Sequence, residues 1–207
     1  MPSIVQICNM ALSHIGAQAN VASISPPDGG VEAHFCAAFY DQARTEMLEP
    51  GNWAFSLKRA SLPPVTNDSE AWTFAYALPS DCMRALRVRL GRTIFEEDSA
   101  YYSPDDNDGA PFTIEGRTLY TNSEEPTLLY VNDVQDPFKF TPTFVTALSY
   151  LLASYLAGPI IRGNEGIRIG DAMRQRATAL ASASAASAAN ASTTPHEFLP
   201  SSIEARR

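Results

Sequence analysis

The stretch FTPTFVTALSYLLASYLA, residues 140–157, decides the fold of this chain. It carries no charged side chain, and its large apolar residues recur at the spacing of one helical face: Phe144, Val145, Leu148, Leu151, Leu152, Tyr155 and Leu156. Thr141 and Pro142 predict the start of a helix, because proline suits the first helical turn. Gly158 and Pro159 predict its end.

The length of this helix favours a protein core over a membrane. A membrane span needs about 20 predominantly apolar residues, and this helix has about 15 once its first turn is set aside. Ser149, Tyr150 and Ser154 lie on its other face. We therefore expect a core helix against which the other helices bury their apolar sides, and no membrane partner.

Composition predicts one sizeable core, or one core with a smaller lobe, for 207 residues with a net charge of −8. The acids concentrate between residues 93 and 136, where eleven Asp and Glu face Arg117 alone. Such a surface repels phosphates, so it argues against a protein that grips nucleic acid there. The N-terminus shows no secretory signal, and the three cysteines have no pairing pattern, which predicts reduced, buried thiols.

Three further segments have helical patterns. Residues 3–16 carry apolar side chains on one face, with Ser3 as the predicted N-cap and Gly16 as the stop. Residues 31–49 form a second amphipathic helix, after which Trp53 and Phe55 are expected to cover the end of the core. Residues 165–189 form a long helix whose second half contains almost only Ala and Ser, so that half either extends thinly or pairs closely with a neighbour.

Between the helices the pattern changes to that of strands. Alternating large and small residues, with turn residues between them, predict short strands at 72–78, 85–90, 93–95, 111–115, 117–121 and 127–132. The fold class predicted is therefore α+β: a four-helix bundle with an inserted antiparallel β lobe, a small sheet or sandwich. The predicted units are residues 1–65 and 138–192 for the two helical halves, 66–137 for the β lobe, and 193–207 for an extended C-terminal arm.

Catalytic and metal motifs are weak in this sequence. No nucleophile-elbow, P-loop or dinucleotide-binding motif is present, and His14, His34 and His196 are far apart. Asp106, Asp108, Gly109 and Glu115 match part of a calcium-loop pattern, but Pro104 stands where the first ligand belongs. The sequence therefore predicts no enzyme, no cofactor and no metal site.

The order of features resembles the head-to-tail adaptor family of tailed phages, the tail tubular protein A type of short-tailed phages. The similarity is carried by ALSHIGA at the end of the first helix, by NWAF at residues 52–55, by the Tyr76-x-Leu78-Pro79-x-Asp81 segment, and by the apolar helix ending at Pro159. It covers roughly residues 3–185 and rests on the ordered set of segments, since no single motif is specific.

The resemblance implies a structural virion protein. Its expected partners are a portal protein and a tail nozzle or tail tube protein, and its expected form is a twelvefold ring assembled in the host cytoplasm, with DNA passing through the lumen without specific binding. The helices would face the portal and the β lobe the tail.

Two sets of contact residues fit this interpretation. The acids expected to line the lumen are Glu96, Glu97, Asp98, Asp105, Asp106 and Asp108. The residues expected to dock the C-terminal arm onto the portal are Phe198, Leu199, Ile203, Arg206 and Arg207. The alternative function is a small non-catalytic binding domain, or an enzyme whose site residues are dispersed along the chain.

Overall fold

The computed structural model describes residues 2–51, 53–89 and 109–191 of the chain. Within these ranges the protein is a mixed α+β protein with four helices and two small antiparallel sheets. Two helices come first in the chain, six strands follow, and two helices come last. The strands therefore lie between the two pairs of helices along the chain, and the α+β class predicted from the sequence is confirmed.

The helices lie close to their predicted positions: α1 at Ile4–His14, α2 at Val31–Leu48, α3 at Pro142–Ile161 and α4 at Gly163–Ala191. The N-cap predicted at Ser3 and the helix start predicted at Thr141 are confirmed. The Ser3 hydroxyl accepts a hydrogen bond from the backbone N–H of Gln6 at 3.1 Å, and the Thr141 hydroxyl accepts one from Phe144 at 3.4 Å. These side chains satisfy N–H groups that have no partner inside the helix.

Helix α3 does not end at Gly158 and Pro159, so that prediction is wrong. Pro159 removes one donor from the helical ladder. The helix nevertheless continues to Ile161, because Ile160 and Ile161 pack against the helical core. The chain leaves the helix at Arg162, whose φ of +61° lies in the left-handed region.

The six strands form two three-stranded sheets. They are β1 (Leu57–Ser61), β2 (Phe74–Ala77), β3 (Cys82–Arg89), β4 (Phe112–Glu115), β5 (Thr118–Thr121) and β6 (Thr127–Asn132). The first sheet has the order β1–β6–β3 and the second the order β2–β5–β4, with every neighbouring pair antiparallel. Gly116, at φ +60°, supplies the left-handed residue in the turn between β4 and β5.

Two details of the strands differ from prediction. Strand β1 was not predicted, and it begins before residue 66, where the β lobe was expected to start. Most of its side chains are exposed, so it shows no alternation of buried and exposed residues that a sequence pattern could reveal. The strand predicted at 93–95 lies outside the described residues.

Two hydrophobic cores hold these elements. The larger core surrounds α3, which packs against each of the other three helices. Trp53 and Phe55 both pack edge-on against Phe144, with ring centroids 5.0 Å apart in each pair, which confirms that they cover this core. The smaller core lies in the β part and combines Leu128 and Tyr130 of the first sheet with residues of the second.

The predicted helix length of about 15 residues is wrong. Helix α3 has 20 residues and a mean hydropathy of 1.6, and it is the one described helix with the length and composition of a membrane span. Just over half of its most apolar window, 56%, is buried inside the protein. Its apolar side chains therefore have protein partners in α1, α2 and α4, which is the expected environment of a core helix.

Candidate functional site

A histidine and a serine hydroxyl meet between α1 and α3. His14 Nε2 lies 3.0 Å from the Oγ of Ser149, and the imidazole stacks on the Tyr150 ring at 4.2 Å. Ser149 donates its single hydroxyl hydrogen to the Thr146 carbonyl oxygen at 2.8 Å, so His14 must be the donor in the first contact. A histidine that donates to a serine cannot accept the proton of that serine, so this arrangement is not an activated nucleophile.

Two cysteines also meet between helices, although their spacing predicted no pairing. The side chains of Cys8 on α1 and Cys36 on α2 interact with each other, and both are fully buried. The contact with Cys36, together with burial, raises the pKa of the Cys8 thiol. All three cysteines are free, as predicted, and a buried thiol of raised pKa is a poor nucleophile.

The close approach of α3 and α4 depends on glycines. A Cβ at Gly166 would lie 2.7 Å from the Ala157 carbonyl oxygen, and one at Gly170 would lie 3.1 Å from that of Ser154. Beside this contact a groove of about 340 Å³ runs along α4, and Ile167 on its wall is 63% exposed. Helices α3 and α4 thus pack closely at these glycines, and the apolar Ile167 side chain beside them remains exposed to solvent.

Three side chains join α2, α3 and α4 next to this groove. The Tyr155 hydroxyl on α3 donates to the Glu46 carboxylate on α2. Arg174 on α4 donates to the same carboxylate at 2.6 Å and lies over the Tyr155 ring, 5.5 Å from its centroid. This network fixes the relative positions of three helices.

The second half of α4 leaves the core. The helix has 29 residues, which corresponds to a length of about 44 Å. Met173 and Ala177 are buried and Leu180 is partly buried, whereas Ala183 and Ala186 are exposed. Up to residue 186, the Ala- and Ser-rich part of α4 therefore presents small side chains to solvent.

One face of the first sheet carries a row of arginines that sequence reasoning did not single out. Arg59 on β1 and Arg87 on β3 both pair with Leu129 of β6, so all three lie on the same face. Arg84 and Arg89 occupy the flanking positions of β3 and, like Arg87, have partners within the protein. Arginines alternate with an apolar residue in RVR, residues 87–89, and that apolar residue, Val88, is buried. This alternation indicates that Arg87 and Arg89 share the opposite face.

The residues that sequence reasoning proposed as sites are not among those described. This holds for the lumen acids Glu96, Glu97, Asp98, Asp105, Asp106 and Asp108, and for the arm residues Phe198, Leu199, Ile203, Arg206 and Arg207. Asp106 and Asp108 of the calcium-like pattern also lie outside the described residues. Among the described residues, no group of three or more His, Cys, Asp or Glu side chains is placed to hold a metal ion.

Comparison with known proteins gives no assignment. No protein-family model matches the chain, and no curated protein matches it significantly.

Proposed function

We propose that this protein is a head-to-tail adaptor of a tailed phage. In this proposal its four helices form a bundle with the β lobe inserted between α2 and α3, and twelve copies close into a ring between the portal and the tail nozzle or tail tube. DNA passes through the lumen without specific binding. The protein acts as a structural part of the virion and catalyses no reaction.

The observation that carries the proposal is the long helix α4. Its first half is fixed to α3 through glycines, and in its second half Ser182, Ala183 and Ala186 are exposed. Helices with such small side chains can approach each other closely, as Gly166 and Ala157 do within the chain. A neighbouring subunit in a ring would supply the second helix, through a head-to-tail interface that closes by rotation.

A second feature supports a structural role. The Glu46–Tyr155–Arg174 network joins α2, α3 and α4, and α2 is held to the first sheet by a buried arginine, Arg44. These contacts connect the helices to the sheet, which suits a connector between two larger assemblies. The helices would face the portal and the β lobe would face the tail.

The proposal is tested by mixing the purified protein with the portal ring encoded in the same genome and imaging the product by negative-stain electron microscopy. We expect a second ring stacked coaxially on the portal. Bare portal rings beside free protein would contradict the proposal. Removal of residues 193–207 should weaken the stacked complex, and unchanged portal binding would contradict the arm as a docking element.

A matched pair of variants tests α4 as the subunit interface. Ala183→Glu with Ala186→Glu places two charges on the exposed second half of α4, whereas Ala38→Glu places one on an exposed position of α2. We expect the α4 variant to lose ring formation on the portal while its thermal unfolding stays that of the wild type. If the α4 variant still forms rings and the Ala38→Glu variant does not, the subunit interface does not involve the second half of α4.

A further inference from the structure

A cavity of about 650 Å³ opens in the β part, between the end of β1, strand β2 and the turn before β6. This volume lies within the range of sites that bind small groups on proteins. Its apolar wall consists of Leu62, Pro64, Phe74 and Tyr76. Two adjacent carboxylates, Glu124 and Glu125, lie at its rim.

The aromatic wall is built by one strand. Phe74 and Tyr76 are two positions apart on β2, so they share a face, and their ring centroids are 6.4 Å apart. The Tyr76 hydroxyl donates to the Ser123 carbonyl oxygen and accepts from the Glu125 N–H, both at 3.2 Å. Because that hydroxyl is committed to the turn, Tyr76 offers the cavity its ring, and it also fixes the segment that bears the carboxylates.

The charge at the rim is uncompensated. Glu124 and Glu125 are exposed neighbours, and no lysine or arginine of the described residues lies within ion-pair distance of either. Elsewhere in the same lobe, Asp81 is paired with Lys58 and Asp133 with Arg44. Carboxylates beside aromatic rings form a favourable environment for a cation.

Strand β1 beside the cavity indicates which kind of molecule could carry such a cation. β1 is the outer strand of the first sheet, and its last residue, Ser61, lies on the cavity wall. Residues 57–61 have one strand partner among the described residues, β6, and the chain pairs with β2 only after them, at Pro63 and Val65. An extended peptide can therefore pair with the other edge of β1 as far as Ser61. Arg59 lies two positions before Ser61, on the same face, and forms no ion pair with a described residue.

We propose that the cavity binds the arginine or lysine side chain of an extended partner peptide that adds to the edge of β1. In a peptide that runs parallel to β1, an acidic residue two positions before the basic one would lie opposite Arg59, since residues two apart in a strand share a face. The peptide would thus be recognised by alternating charges on one side and by its backbone along β1. This site is separate from ring formation and would bind its peptide in a lone subunit.

The test uses a fluorescein-labelled, end-capped peptide of sequence Val-Glu-Val-Arg-Val, followed by fluorescence anisotropy. Its control replaces arginine with citrulline, which keeps the shape and removes the charge. The protein variant is Glu124→Gln with Glu125→Gln. The matched control is Asp68→Asn with Glu70→Gln, which removes two exposed charges from the same lobe outside the cavity lining.

We expect saturable binding that weakens about tenfold or more with the citrulline peptide and with the Glu124/Glu125 variant, since a hydrogen bond to a charged group contributes that much. The Asp68/Glu70 control should bind as the wild type does. No saturable binding, or equal loss in both double variants, would overturn the proposal. Equally tight binding of free arginine would also overturn it, because the site would then recognise a small cation and not a peptide.

Discussion

Arg44 on α2 donates a hydrogen bond from Nη1 to the carboxylate of Asp133, which lies 89 positions later, just after β6. The same nitrogen donates to the Val134 carbonyl oxygen at 3.1 Å, and the Arg44 side chain is only 4% exposed. A guanidinium is costly to remove from water, so this arginine depends on its carboxylate partner. The pair therefore couples the stability of the helical part to that of the first sheet.

Replacing Asp133 with Asn should destabilise the protein by about 3 kcal/mol, because the buried Arg44 loses its closest counter-ion and keeps only the exposed Asp41, whose Oδ1 lies 3.6 Å from Nε. The matched control is Lys58→Met. This substitution breaks the ion pair between Lys58 and Asp81. Because the Lys58 side chain is 51% exposed, the loss of unfolding free energy should be about 1 kcal/mol or less. Urea unfolding measures both. Similar losses for the two variants would show that Arg44 does not depend on Asp133.

The same ion pair predicts loss of stability in acid. Burial raises the pKa of the Asp133 carboxyl, but the hydrogen bonds from Arg44 and Gln135 outweigh it, so its pKa is below the ordinary value. A carboxyl group whose pKa is lower in the folded protein than in the unfolded chain stabilises the fold. This stabilisation is complete above the pKa of the unfolded chain and is lost as the pH falls through the pKa of the folded protein. We expect the wild type to lose more unfolding free energy than Asp133→Asn when the pH is lowered below about 4. Parallel pH profiles would contradict this.

The glycines of α3 and α4 predict unequal effects of one substitution. Gly166→Ala places a Cβ 2.7 Å from the Ala157 carbonyl oxygen, so the helices must separate, at a cost of about 1–3 kcal/mol. Gly158→Ala meets no atom of a neighbouring helix within 4 Å, and its gain in helix propensity is opposed by the following Pro159, which disfavours the helical conformation of a residue with a Cβ, so stability should change by less than about 1 kcal/mol. Thermal unfolding compares the two. A neutral Gly166→Ala would mean that α4 packs less closely than described.

The Glu46–Tyr155 hydrogen bond predicts an energetic coupling between α2 and α3. Burial raises the pKa of the Tyr155 hydroxyl, and its hydrogen bond to Glu46 raises it further. The double-mutant cycle of Tyr155→Phe and Glu46→Gln should give a coupling free energy of about 1 kcal/mol in urea unfolding. Additive effects would indicate that Arg174 alone holds the Glu46 carboxylate.

Sequence patterns predict the helices well because each carries its own periodic signal. The strand at Thr127–Asn132 was predicted with its full bounds for the same reason. The exposed edge strand β1 carries no such signal, and the helix passes Pro159 only because Ile160 and Ile161 find apolar partners in the core. The local pattern cannot show such tertiary contacts.

The candidate sites were less predictable than the fold. Arg44 and Asp133, like Phe74 and Glu125, are brought together only by the packing of distant segments. In the sequence, Glu124 and Glu125 were two of eleven acids in one stretch, and nothing local distinguished them from the others. The shape of the cavity, which makes them a candidate site, exists only in the folded protein.

The contact between His14 and Ser149 predicts a dependence of stability on pH near neutrality. Burial lowers the pKa of His14, and the charge of Arg176 lowers it further. The unfolded chain therefore binds a proton at higher pH than the folded protein does, so stability is full above the ordinary histidine pKa of about 6.5 and decreases as the pH falls below it.

Replacing His14 with Gln should remove this part of the pH dependence, because the glutamine amide can still donate to Ser149 but does not titrate. His34→Gln, at an exposed position of α2, is the matched control, because it replaces an imidazole that makes no contact with Ser149. Urea unfolding between about pH 7.5 and pH 5.5 measures the slopes. In addition, Arg176→Gln should raise the pKa of His14, which proton NMR can measure. An unchanged His14 titration in that variant would show that burial alone depresses it.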